Sequence, residues 1–109
     1  MAEYKLTNKA VEDLSKIWDY TFEVWSESQA DKYFDSLIAN CQEIADNPDL
    51  GKNYDGISKQ LLGLKTNRHI IFYRTLEQDY VEITRILHER MDLKKRITEK
   101  KTAHNNGYK

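Results

Sequence analysis

The sequence predicts an α+β domain of order β-α-α-β-β-β, with a helical hairpin packed on one face of a small, mainly antiparallel sheet. Three observations carry this prediction. Apolar residues recur at steps of three and four through residues 8–25 and again through 28–45, the spacing of amphipathic helices. Three short apolar-rich runs then follow between residues 60 and 87, separated by turns of two or three residues. The only proline, Pro48, and three of the four glycines fall between the helical and the strand-like halves or inside the latter.

Tyr4-Lys5-Leu6 is short and alternating, and reads as a first strand. Thr7 or Asn8 can cap a helix, because a side-chain oxygen there accepts from an otherwise unpaired N–H. Val11, Leu14, Ile17, Trp18, Phe22 and Trp25 form its apolar stripe. Glu12 and Asp13 are expected to complement the positive end of its dipole. Ser28 with Asp31 three residues on suggests the cap of a second helix. That helix presents Ala30, Tyr33, Phe34, Leu37, Ile38, Cys41, Ile44 and Ala45 and stops at Asn47, since a residue before proline is driven out of helical space.

Leu50 to Gly56 reads as a loop by its glycines and polar residues. Gln60–Lys65, Arg68–Arg74 and Tyr80–Leu87 read as an antiparallel meander with turns at Thr66-Asn67 and Glu77-Gln78-Asp79. The middle strand is apolar on both faces, with Ile70 and Phe72 on one and Ile71 and Tyr73 on the other. The helices can cover only one face. The second is expected to stay partly exposed or to be covered by another chain.

With 109 residues, one domain is expected, spanning 1–93, with residues 94–109 as a basic, flexible tail. The net charge of −1 hides a split: residues 1–50 carry four Lys, no Arg and eleven acidic residues, whereas 51–109 carry thirteen basic and seven acidic. Such asymmetry suggests a basic working face. No apolar run approaches the roughly 20 residues of a membrane span, and the N-terminus lacks the pattern of a signal peptide. A single cysteine forms no internal disulfide, so a reducing cytoplasm is expected.

No catalytic signature emerges. There is no Gly-rich phosphate loop, and the Cys and His residues lack zinc spacing, so no metal or cofactor is expected. Cys41 is in phase with the second helix's stripe and reads as a small buried hydrophobe. His69, His88 and His104 are isolated in sequence. Arg85 interrupts the apolar phase of Val81, Ile83 and Leu87. It must reach solvent or pair with a carboxylate, Asp92 or one from the helices. It either locks the sheet's end or anchors an acidic partner.

Arg85-Ile86-Leu87-His88-Glu89-Arg90-Met91-Asp92 resembles the closing motif of the ParE toxin family, within the RelE/ParE superfamily. Leu6-Thr7, Ile17-Trp18-Asp19-Tyr20-Thr21, Gln29-Ala30 through Tyr33, Asn47-Pro48-Asp49-Leu50-Gly51-Lys52 and His69-Ile70-Ile71-Phe72-Tyr73-Arg74 are further matches, in family order, over residues 4–92. The resemblance implies a RelE/ParE-like fold. It also implies a non-enzymatic toxin of a bacterial type II toxin–antitoxin system that inhibits DNA gyrase and hence replication. A ParD-like antitoxin would neutralise it in a toxin–antitoxin hetero-oligomer, and operator DNA would be reached only through that antitoxin.

On this reading Arg85, His88, Arg90, Lys94, Lys95 and Arg96 are candidates for target contact. Trp18, Trp25, Phe72, Arg74, Ile86 and Met91 are candidates for antitoxin contact. The sister RelE branch suggests the alternative, a ribosome-dependent mRNA endoribonuclease, with His88, Arg74, Arg85 and Lys65 as imaginable acid, base and phosphorane-stabilising groups. Met91-Asp92 replaces the His-Tyr or Tyr ending expected in those nucleases. Lys52 and Lys65 stand where the family pattern leads one to expect Arg, keeping charge but losing the bidentate fork. A third reading is a plain nucleic-acid binder that uses the basic tail.

Overall fold

A computed structural model of the chain describes residues 2–77 and 80–97. It contains strand β1 (Glu3–Leu6), helices α1 (Asn8–Val24) and α2 (Glu27–Asp46), a 3-10 turn (Pro48–Leu50) and four more strands. These are β2 (Lys52–Asn53), β3 (Leu62–Thr66), β4 (His69–Glu77) and β5 (Tyr80–His88). A last helical turn covers residues 93–97. The five strands form one sheet in the order β1-β5-β4-β3-β2. Only β1 runs parallel to its neighbour, with Tyr4 opposite Val81 and Leu6 opposite Ile83. The α+β class, the helical hairpin and the mainly antiparallel sheet agree with the sequence.

Thr7 places α1. Its hydroxyl accepts from the Ala10 N–H at 3.0 Å, which caps the helix, and donates to the Thr84 carbonyl at 2.8 Å. One side chain therefore starts the helix and ties that start to β5. The cap of α2 is Ser26, which accepts from the Gln29 N–H at 3.1 Å, so the expected cap at Ser28 lies two residues inside the helix. Neither Glu12 nor Asp13 lies in the first turn of α1. Asp13 instead points into the protein and is buried.

The main core lies between the helices and the sheet. It is built from Ala10, Leu14, Leu37, Cys41, Ile44, Ile71, Tyr73, Val81, Ile83 and Ile86. Burial drives the Cys41 thiol pKa up to about 12, which suits its role as an apolar filler. The apolar arc of α1 is wider than the core can cover. Val11, Phe22 and Trp25 remain exposed although they share its stripe with Leu14.

The expectation that the sheet's second face stays open or awaits another chain is overturned. Leu61, Ile70, Phe72 and Leu87 form a second cluster there, covered by Tyr54 and Ile57 from the loop after β2 and by Leu93 and Ile97 from the closing helical turn. The residues just before that loop form β2, read from sequence as irregular. Two backbone–backbone pairs, Lys52 with Gly63 and Asn53 with Leu62, define it. The β3–β4 turn lies at Asn67-Arg68, with Asn67 in the left-handed region at φ 52°, because β3 runs one residue further than expected. β4 extends to Glu77, and the turn residues 78 and 79 lie outside the described residues. The proposed tail begins within the closing turn, and residues 98–109 also lie outside the described set.

Candidate functional site

The site is a groove of about 1180 Å³ between the second half of α1, the start of α2 and the β4–β5 end of the sheet. One wall is apolar. Ile17, Tyr20 and Val24 recur on α1 at steps of three and four and so share a face. Trp25 continues it where the helix stops, and Met91 closes it from the far side. These side chains are unusually open for their size: Trp25 is 70% exposed and Tyr20 66%. The other wall is polar, with Arg68 from the β3–β4 turn, Arg90 from the turn after β5, and His69 and His88 between them.

The two histidines are brought together by strand register. His69 opens β4 and His88 closes β5, and the two are direct partners in the ladder. Residues opposed in this way project to the same face, and the rings meet edge to face with centroids 5.3 Å apart. Tyr33 from α2 bonds His69 Nδ1 at 2.6 Å, and the Arg90 N–H donates to His88 Nδ1 at 3.0 Å. Burial, reinforced by the neighbouring His88, lowers the His69 pKa to about 4, so the imidazole is neutral at pH 7. Glu89 accepts from Lys65 at 2.8 Å, and that contact holds its carboxyl below the usual range.

Arg85 is held by the first helix and by the closing turn. Its Nε lies 2.8 Å from Asp13 Oδ2 and its Nη2 3.0 Å from Oδ1, while Nη1 donates to the Arg96 carbonyl at 3.0 Å. Asp13 Oδ2 also accepts from the Ile86 N–H at 2.9 Å. Of the two open readings of Arg85, the ion pair that locks the sheet's end is present in the structure. Its partner is Asp13 rather than Asp92, which instead accepts from the Lys95 N–H at the start of the closing turn.

Of the other residues singled out by sequence, His88, Arg90, Trp25 and Met91 meet at the groove. Ile86 lines its floor but is only 2% exposed, so it supports the surface more than it offers one. Phe72, with no exposed surface, belongs to the second core cluster and is unavailable as a contact. Arg74 bonds the Ser58 hydroxyl on that same far face. Trp18 is on α1 but outside the groove: it stacks on Phe22 at 5.2 Å and donates to Asp31. Lys94, Lys95 and Arg96 stand exposed on the closing turn.

Sequence reading missed Tyr20, Val24 and Tyr33 as site residues. The signal was present for the first two, because 17, 20 and 24 make a second stripe beside the core stripe. Tyr33 and Arg68 join only through tertiary contact. Among the described residues no three His, Cys, Asp or Glu side chains cluster as metal ligands, and no helix is long and apolar enough to cross a membrane.

Comparisons with known proteins agree with one another. The sequence profile of the family described as "ParE toxin of type II toxin-antitoxin system, parDE" matches residues 4–93. Toxin ParE1 of Mycobacterium tuberculosis is 31% identical over 96 residues, covering 88% of this chain and 98% of the relative. Toxin ParE1 of Caulobacter vibrioides is 33% identical over 92 residues, covering 84% and 94%. Among solved structures, a chain of the chromosomal ParDE TA system from P. aeruginosa superposes with a TM-score of 0.68 at 19% identity, covering 81% of this chain and 96% of that one. At that identity the likeness bears on the fold alone.

Proposed function

This chain belongs to the ParE toxin family of type II toxin–antitoxin systems, and from that membership we propose that it is a gyrase-directed toxin whose groove is the seat of its antitoxin. The observation that carries the docking half is the wall of Tyr20, Val24, Trp25 and Met91, held open beside Arg68 and Arg90. Contiguous apolar surface rimmed by charge is the mark of an interaction site. A partner helix with apolar residues at i, i+3, i+4 and i+7 and acidic residues beside them fits this lining. A ParD-like antitoxin supplies such a segment, and any contact with operator DNA then runs through the antitoxin.

Inhibition of DNA gyrase in the cytoplasm, without chemistry by the toxin itself, is the target half of the proposal. The family match supports it, as does the exposed basic run Lys94-Lys95-Arg96, on the closing turn beside the groove's Arg90 and Met91. The anchoring of Arg85 supports a non-enzymatic reading, because a side chain bonded to Asp13 and to a backbone carbonyl is committed to structure. A plasmid supercoiling assay tests the target. Purified protein is expected to block supercoiling and leave linear plasmid when gyrase is present, and addition of the antitoxin encoded beside it restores activity. Unaltered supercoiling, together with mRNA cleavage on translating ribosomes, would replace this reading with the endoribonuclease one.

A further inference from the structure

Both groove histidines are hydrogen-bonded at Nδ1, and this determines what they can offer a ligand. The Arg90 backbone N–H is an obligatory donor, so His88 Nδ1 accepts from it and the proton of the neutral ring sits on Nε2. At His69 the partner is the Tyr33 hydroxyl, 2.6 Å from Nδ1. When that hydroxyl donates to the ring nitrogen, the proton of neutral His69 also sits on Nε2.

Neither Nε2 has a partner among the described residues, yet no unpartnered side-chain N or O is buried there. Neither Nε2 is therefore fully buried, and both side chains line the groove. The rings are opposed in register, with centroids 5.3 Å apart, and both line the groove. Arg68 and Arg90 flank them, and the two acids that also line the groove are occupied, Asp13 by Arg85 and Glu89 by Lys65.

We propose that this floor is a carboxylate receptor: the Nε2–H groups of His69 and His88 take the side chain of an Asp or Glu in the partner segment that fills the groove. The proposal rests on the docking reading above and gives the bound segment its polar anchor. Two N–H donors suit the task, because a carboxylate accepts two bonds side by side. Burial keeps His69 neutral at pH 7, so its bond to the carboxylate is that of a neutral donor.

Nitrogen-15 NMR of the imidazole rings, with acetate as the probe, tests the receptor. Both histidines are expected as Nε2–H tautomers, and both Nε2–H signals shift saturably with acetate. His88→Ala weakens acetate binding about tenfold, the loss of one hydrogen bond to a charged acceptor. Tyr33→Phe, which removes the hydroxyl but keeps the ring, sends His69 to a tautomer mixture and weakens acetate as well; a purely structural Tyr33 would leave the tautomer unchanged.

A Nδ1–H tautomer at either histidine, or the absence of any saturable shift, overturns the proposal. So does a shift with inorganic phosphate and none with acetate, which would assign the floor to a phosphate group. The docking reading is followed separately, by antitoxin quenching of Trp25 in a Trp18→Phe background. Quenching without any acetate response leaves docking intact and removes the receptor, whereas an acetate response without quenching does the reverse.

Discussion

Asp13 and Arg85, separated by 72 residues, form a two-pronged ion pair at 2.8 and 3.0 Å around the side of β5 that β1 does not reach. The pair joins the first helix to the last strand, and the Asp13 carboxylate fills the place of a missing strand by taking the Ile86 N–H. Removing one partner strands the other's charge. Asp13→Ala is expected to cost about 3–5 kcal/mol, read as a lower urea midpoint at unchanged slope. Replacing both residues by apolar side chains of similar size, Asp13→Leu with Arg85→Met, recovers part of that loss, because two charges disappear together while the Ile86 N–H is left without its acceptor.

His69 predicts a pH dependence. Its pKa falls from 6.5 unfolded to about 4 folded, so between these values the unfolded chain binds more protons. Stability therefore rises with pH across that window and is lost as pH falls from about 6.5 towards 4. The full shift sets an upper bound of about 3 kcal/mol on the effect. Urea titrations at steps from pH 7 to pH 4 should show this slope, and His69→Gln should flatten it.

Gly51 lies where the chain presses against Tyr73. A Cβ there would sit 2.6 Å from Tyr73 Oη and 2.8 Å from the Gly63 carbonyl oxygen. The same hydroxyl accepts from the Gly51 N–H and donates to the Pro48 carbonyl, so it has little room to retreat. Gly51→Ala is expected to destabilise by about 1–3 kcal/mol. Adding Tyr73→Phe should cost less in that background than alone, since the nearest clashing atom is gone although the ring carbon at 2.8 Å stays; a thermal-melt double-mutant cycle reads the coupling.

Trp25 should behave in the opposite way. At 70% exposure it contributes little to folding, and Trp25→Ala is expected to leave the melting temperature nearly unchanged. At the centre of a docking wall the same truncation costs about 2–4 kcal/mol of antitoxin binding. Calorimetric titration with the antitoxin would distinguish this from a bystander role, for which affinity would not move.

The fold was legible because its signals are local. Thr7, Pro48 and the alternation of Ile70 to Tyr73 each act within a few residues. What escaped depends on distance. β2 is two residues long and exists only through its pairing with Gly63 and Leu62. The cover on the far face comes from Tyr54, Ile57, Leu93 and Ile97, in segments with no strong period of their own. Phe72 was therefore read as a contact residue when it is core. The site was half legible for the same reason: Trp25 and Met91 declare themselves as large apolar residues near chain turns, whereas the His69–His88 pair depends on a register that no single strand reveals.

The side of β5 closed by Thr7 and Asp13 has a consequence for how this protein chooses partners. An open strand edge recognises another chain mainly through backbone groups common to all sequences. Here the Thr84 carbonyl and the Ile86 N–H are already taken by side chains, and a buried charge stands where an added strand would lie. Recognition at this end of the molecule then falls mainly to side chains. Exchanges at Tyr20, Val24, Trp25, Arg68 or Arg90 can then redirect the protein from one partner to another while the sheet beneath keeps its register, so related pairs can diverge into mutually indifferent sets without refolding.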